Sequence, residues 1–139
     1  MTAQEYLEQL TEIKENIKSC EDERKEQNSR LLSISSPTLS QNGSRGSTQS
    51  NARFTVVMER IEAIDEEICS YIAKEGTILD QIREIGDATY SGILHRRYFL
   101  EKDFDTIAFE LGYSTDYLKT LHRKALQEFE NKFLKDHTK

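Results

Sequence analysis

The stretch TIAFELGYSTDYLKTLHRKALQEF, Thr106 to Phe129, decides how this chain is read. Ile107, Ala108 and Leu111 recur at helical spacing and line one face of a short helix. Gly112 tolerates the positive φ that ends such a helix. Ser114 can then accept a backbone N–H at the start of a second helix, and Asp116 favours its positive end. Leu118, Leu121, Ala125 and Leu126 give that second helix an inner face. Because Ala108 is small, the two helices can approach closely, so the economical reading is a helix-turn-helix with a glycine turn. On the opposite face lie Thr115, Asp116, Tyr117, Lys119, Thr120 and Arg123, a mixture of groups suited to bases and phosphates in a major groove.

Upstream, Gly86-Asp87 offers a helix stop followed by a cap, and the next helix carries Ile93, Leu94 and Tyr98 inward. Arg96 and Arg97 fall around its other side, where a solvated charged face and phosphate contact are both open. Further back, Phe54, Val57, Ile61, Ile64, Ile68, Tyr71, Ile78, Ile82 and Ile85 follow a three-four stripe broken only by Glu75, beside which Gly76 implies local loosening. Ala3, Tyr6, Leu10, Ile13, Ile17 and Cys20 form a similar narrow stripe near the N-terminus. Between the two, the segment 33–51 holds seven serines, two threonines, two glycines and Pro37 with one charge, Arg45, which predicts a flexible linker.

The expected architecture is therefore all-α: a long antiparallel coiled-coil hairpin over 1–86, then a helix-turn-helix domain over 87–135. The hairpin consists of a helix over about 2–32, a linker over 33–52 and a helix over about 53–86. Its seam is carried by Leu10, Ile13, Ile17, Ile61, Ile64, Ile68, Ile78 and Ile82. Such seams also pair between chains, so a homodimer stands beside the intramolecular hairpin.

Composition agrees with helices that have wide solvated faces: of 139 residues, 32% are charged and only 36% are hydrophobic. There is neither an apolar run long enough to span a membrane nor a signal-peptide pattern at Met1-Thr2-Ala3-Gln4-Glu5, so a cytoplasmic protein without membrane partners is expected. Cys20 and Cys69 are far apart, lack CxxC spacing, and read as reduced, partly buried thiols. The net charge of −6 argues against bulk attraction to nucleic acid, but its distribution is uneven. Residues 1–30 hold eight acidic and five basic side chains, residues 51–94 nine and four, and residues 95–139 eight and nine. DNA contact, if made, belongs to the last segment.

His95, His122 and His137 are scattered, and there is no HExxH motif or phosphate-cradling glycine loop. These absences point away from an enzyme, and no cofactor, metal or small-molecule substrate is expected.

The run from Leu94 to Phe129 resembles region four of bacterial sigma factors, through Leu94, Arg97 and Tyr98 and through Ile107-Ala108, Leu111-Gly112, Ser114, Leu118, Leu121 and Ala125-Leu126. The ending Leu121-His122-Arg123-Lys124-Ala125-Leu126 is similar to short phage and prophage regulators of the ArpU-like late group. The resemblance implies a phage or mobile-element transcription regulator, active in a bacterial cytoplasm, that binds double-stranded DNA through a recognition helix at about 115–130. Carried over by position, Thr115, Tyr117, Lys119, Thr120 and Arg123 would face DNA, with Thr120 and Arg123 reaching base edges. Lys124, Arg96 and Arg97 complete the candidate set. No segments resembling the sigma regions for core docking and promoter melting are present, so the coiled coil is expected to supply dimerisation or RNA polymerase contact. The alternative is an interaction module that grips a host protein, such as RNA polymerase or a defence component, without reading DNA.

Overall fold

The computed structural model describes the backbone of residues 1–35 and 43–135, with the side chains of all but 35 and 43–50. Every described element is helical: α1 (Ala3–Ser35), α2 (Gly43–Arg83), α3 (Ala88–Leu94), α4 (Phe104–Leu111) and α5 (Thr115–Phe129). Wider π-helical turns, His95–Phe99 and Glu130–Leu134, prolong α3 and α5. Among the described residues no helix is long and apolar enough to cross a membrane.

The expected linker over 33–52 is largely helical where it is described. α1 runs to Ser35, and α2 starts at Gly43, well ahead of Arg53. Nucleation is the costly step of helix formation, whereas each added residue gains a hydrogen bond for its own ordering. A strong stripe from Val57 onward can thus carry weak helix formers into the same helix. Residues 36–42 of the expected linker lie outside the described residues. α2 also passes through Glu75 and Gly76 without a break, so the loosening expected there does not interrupt it.

The chain divides into two compact units, Glu15–Ile72 on one hand and Met1–Lys14 with Ala73–Lys139 on the other. The boundary expected at 86/87 falls inside the second of these.

Within Glu15–Ile72, Cys20, Val57, Ile61 and Ile64 are buried, whereas Ile17 and Ile68 are only half-buried. Phe54, expected on the stripe, is 39% exposed. Contacts between the two helices run in reverse order: Glu23 pairs with Arg60 at 2.6 Å, and further on Ile34 shares a cavity with Ala52 and Val56. Arg24 adds an ion pair with Asp65 at 2.8 Å. These pairs are exposed and contribute little compared with the buried apolar side chains. Both cysteines are free, Cys20 buried and Cys69 exposed, where partial burial was expected for both.

The other unit buries apolar side chains from each of its helices. Ala3, Leu7, Leu10 and Ile13 of α1 and Ile78 and Ile82 of α2 are buried here, as are Ile93, Leu94, Tyr98, Ile107, Ala108, Leu118, Leu121, Ala125 and Phe129. The Tyr6 hydroxyl donates to Gln81 Oε1 at 2.6 Å, while its ring lies 5.7 Å from that of Phe129. The first turns of α1 therefore pack against both α2 and α5, which explains why Leu7, outside the narrow stripe, is fully buried. Lys14 donates to the Phe99 carbonyl oxygen, sits over the Phe99 ring at 4.1 Å and pairs with Glu101 at 3.6 Å.

Candidate nucleic-acid interface

Local chemistry at four helix ends sets the geometry of the C-terminal helices. Asp87 caps α3 by accepting from the backbone N–H groups of Thr89 and Tyr90 at 2.9 and 3.1 Å. Asp103 caps α4 by accepting from Thr106 N–H at 2.8 Å, and hydrogen bonding from the Thr106 side chain, then from its amide, holds the Asp103 carboxyl below the usual range. At the other end of α4, Gly112 adopts φ 78° and ψ 30°, and the amides of Gly112 and Tyr113 donate back to the carbonyls of Phe109 and Ala108. Only glycine takes this backbone without steric cost, so the turn is sharp and specific. Ser114 then caps α5 by accepting from Tyr117 N–H at 3.1 Å.

Ile107 and Ala108 of α4 pack with Leu118 and Leu121 of α5 and with Ile93 of α3, and Tyr90, Phe104, Leu111 and Tyr113 close the edges. With Leu118, Leu121, His122, Ala125 and Phe129 buried, α5 has one inner face and one free face.

The candidate residues divide on this scaffold. Lys119, Arg123 and Lys124 are exposed on α5, and none forms an ion pair with a described residue. Tyr117 is 51% exposed, with its ring edge-on to Tyr113 at 5.3 Å. Thr115 and Thr120 are half-buried: Thr115 donates to Asp105 Oδ1 at 2.8 Å, and Thr120 donates back to the Asp116 carbonyl at 3.3 Å. Both hydroxyls keep acceptor capacity for a ligand donor.

Arg96 and Arg97 belong to the scaffold more than to a free surface. Arg96 pairs with Glu110 at 3.1 Å and donates to the Gly92 carbonyl at 3.2 Å. Lys102 reaches the same carboxylate at 2.7 Å, and this hydrogen bond holds the Glu110 carboxyl below the usual range. Arg97 donates to the Lys102 carbonyl at 3.2 Å and stacks over the Phe104 ring at 4.2 Å. Charge alone did not distinguish these two arginines from the cations of α5, because their side-chain partners come from α4.

A groove of about 330 Å³ lies beside α5, lined by Arg97, Lys119 and Arg123 and, from α1, by Gln4 and Glu8. Its floor includes a buried pair absent from the sequence expectations: the Tyr98 hydroxyl and His122 Nε2 are 2.9 Å apart. The Phe104 ring meets His122 edge-on at 5.0 Å. Burial pushes the Tyr98 phenol up to about 12 and the His122 imidazole down to about 4, with Arg97 and Arg123 adding to the latter. Both groups are thus neutral near neutral pH, and the positive charge of the groove comes from its walls.

Among the described residues, no group of three or more His, Cys, Asp or Glu side chains has a metal-holding arrangement. No family model, curated protein or solved structure matches the chain.

Proposed function

We propose that this chain is a DNA-binding protein that uses α5 as its recognition helix. The observation that carries this reading is the exposed cationic face of α5, set opposite its buried apolar face. Six ion pairs link described residues elsewhere, yet none involves α5, which presents Lys119, Arg123 and Lys124 on its exposed face. Unpaired cations on a helix with a firmly buried opposite face suit the phosphates that flank a major groove. The glycine turn between α4 and α5 and the small buried Ala108 support a helix-turn-helix.

More particularly, the reading is of a transcription regulator of phage or mobile-element origin, akin to the sigma region-four-like regulators. The long helices α1 and α2 act as a coiled-coil hairpin, an assignment supported by the burial of Leu10, Ile13, Ile61, Ile64, Ile78 and Ile82 within a single chain. A few phosphate contacts give weak, salt-sensitive binding, so a second copy or RNA polymerase supplements them.

A gel shift with DNA from upstream of the native operon tests the reading. Wild type shifts the DNA, and a Lys119→Ala/Arg123→Ala variant with unchanged helicity loses most of the shift. Equal behaviour of the two proteins, or no shift by either, sinks it. A second reading, an interaction module for a host protein, draws on Phe109, which is 85% exposed on α4. It gains ground only in the absence of a shift.

A further inference from the structure

The groove beside α5 joins two parts of the sequence that have no apparent connection. Arg97 stands on the turn after α3, Lys119 and Arg123 lie one helical turn apart on α5, and Gln4 and Glu8 come from the first turns of α1. Arg97 is oriented by the Lys102 carbonyl and the Phe104 ring. Glu8 lines the same groove as these cations without forming an ion pair with them; it accepts instead from Gln4 Nε2 at 3.1 Å. The groove therefore holds three cations and a single carboxylate.

We infer that this groove is a binding site for one backbone phosphate of duplex DNA, built jointly by α1 and α5, and that Glu8 sets its affinity. The inference rests on the DNA-binding reading of α5 and extends it to α1. A phosphodiester between Arg97, Lys119 and Arg123 takes charge-assisted hydrogen bonds from a fork held in place and from two mobile cations. It continues into the neighbouring phosphates along α5, where Lys124 provides the next cation. Glu8 repels the same anion at short range, where neither salt nor water screens it fully. The DNA surface of this acidic protein is thus weakened by its own N-terminal helix. Changing that helix alters DNA affinity without touching α5.

The test compares Glu8→Gln with Glu12→Gln in the full chain. Both substitutions remove one negative charge from exposed positions on α1, but Glu12 does not line the groove. Binding to a fluorescein-labelled random-sequence duplex is followed by anisotropy across a salt series. Glu8→Gln is expected to bind roughly three- to tenfold tighter at low salt. Its dependence on log salt should steepen by up to about 0.9, one additional phosphate contact. Glu12→Gln should stay close to wild type.

Equal gains in the two variants would reduce the effect to net charge and overturn the inference, as would no gain in Glu8→Gln. The Lys119→Ala/Arg123→Ala variant keeps the two levels apart. If it binds as wild type does, the recognition helix itself is misassigned. If it loses binding while Glu8→Gln changes nothing, α5 remains the DNA element and only the shared groove falls.

Discussion

His122 is flanked in sequence by Arg123 and Lys124, yet its ring is part of the core, 8% exposed, bonded to Tyr98 and edge-on to Phe104. Its spacing from Leu118, Ala125 and Phe129 already places it on the inner face of α5, a signal overlooked when the three histidines are weighed only as catalytic groups. Its partner, Tyr98, could not be read, because it lies on another helix. The pairing has a consequence for stability. Burial lowers the imidazole from 6.5 to about 4, so the folded state binds fewer protons than the unfolded chain between those values. The stabilisation of the neutral ring is complete above 6.5 and is lost as pH falls towards 4. Between about pH 7.5 and about pH 5.5, wild type should lose on the order of 1 kcal/mol relative to a His122→Asn variant, read from urea midpoints. Parallel pH profiles for the two proteins would show that His122 is not held neutral. Arg96 teaches the converse lesson: a side chain that looks like a phosphate ligand in sequence is engaged by Glu110 and by the Gly92 carbonyl, while Arg97 is held by the Lys102 carbonyl and the Phe104 ring at the edge of the groove.

At the scale of elements, the capping residues were legible and the extent of the long helices was not. Asp87, Gly112 and Ser114 act at the positions their chemistry implies, since a cap depends on neighbours only two or three residues away. The start of α2 depends on how far a nucleated helix propagates, and composition alone placed it too late. Gly76 gives a direct test of α2. It lies inside the helix, and a Cβ built there meets nothing within 4 Å. Gly76→Ala should raise stability by about 0.5–1 kcal/mol through reduced freedom in the unfolded chain. A lower thermal midpoint would mean that the helix needs the loosening that its sequence suggests at this point.

For the whole molecule, the main departure from expectation is the place of the first fourteen residues of α1. They share a compact unit with the C-terminal helices, through the Tyr6–Phe129 ring contact and a hydrogen bond from the Ala3 amide to Glu130 at 3.3 Å. This reverses the importance of two α1 positions. Ile17 belongs to the sequence stripe but is half-buried, whereas Leu7 lies off the stripe and is fully buried. Leu7→Ala should therefore cost roughly 2–4 kcal/mol and Ile17→Ala clearly less, measured as urea unfolding free energies. The opposite order would return α1 to a simple two-helix seam. By itself the sequence determined the helical class, the apolar stripes, the caps and the glycine turn, because these follow from periodicity and from contacts within a few residues. Tertiary structure alone decided which cations on the DNA-binding candidate face remain unpaired, that Tyr98 and His122 share a buried hydrogen bond, and that Glu8 lines one groove with Lys119 and Arg123. Each of those joins residues far apart in the chain, and periodicity within one helix carries no information about what another element brings against it.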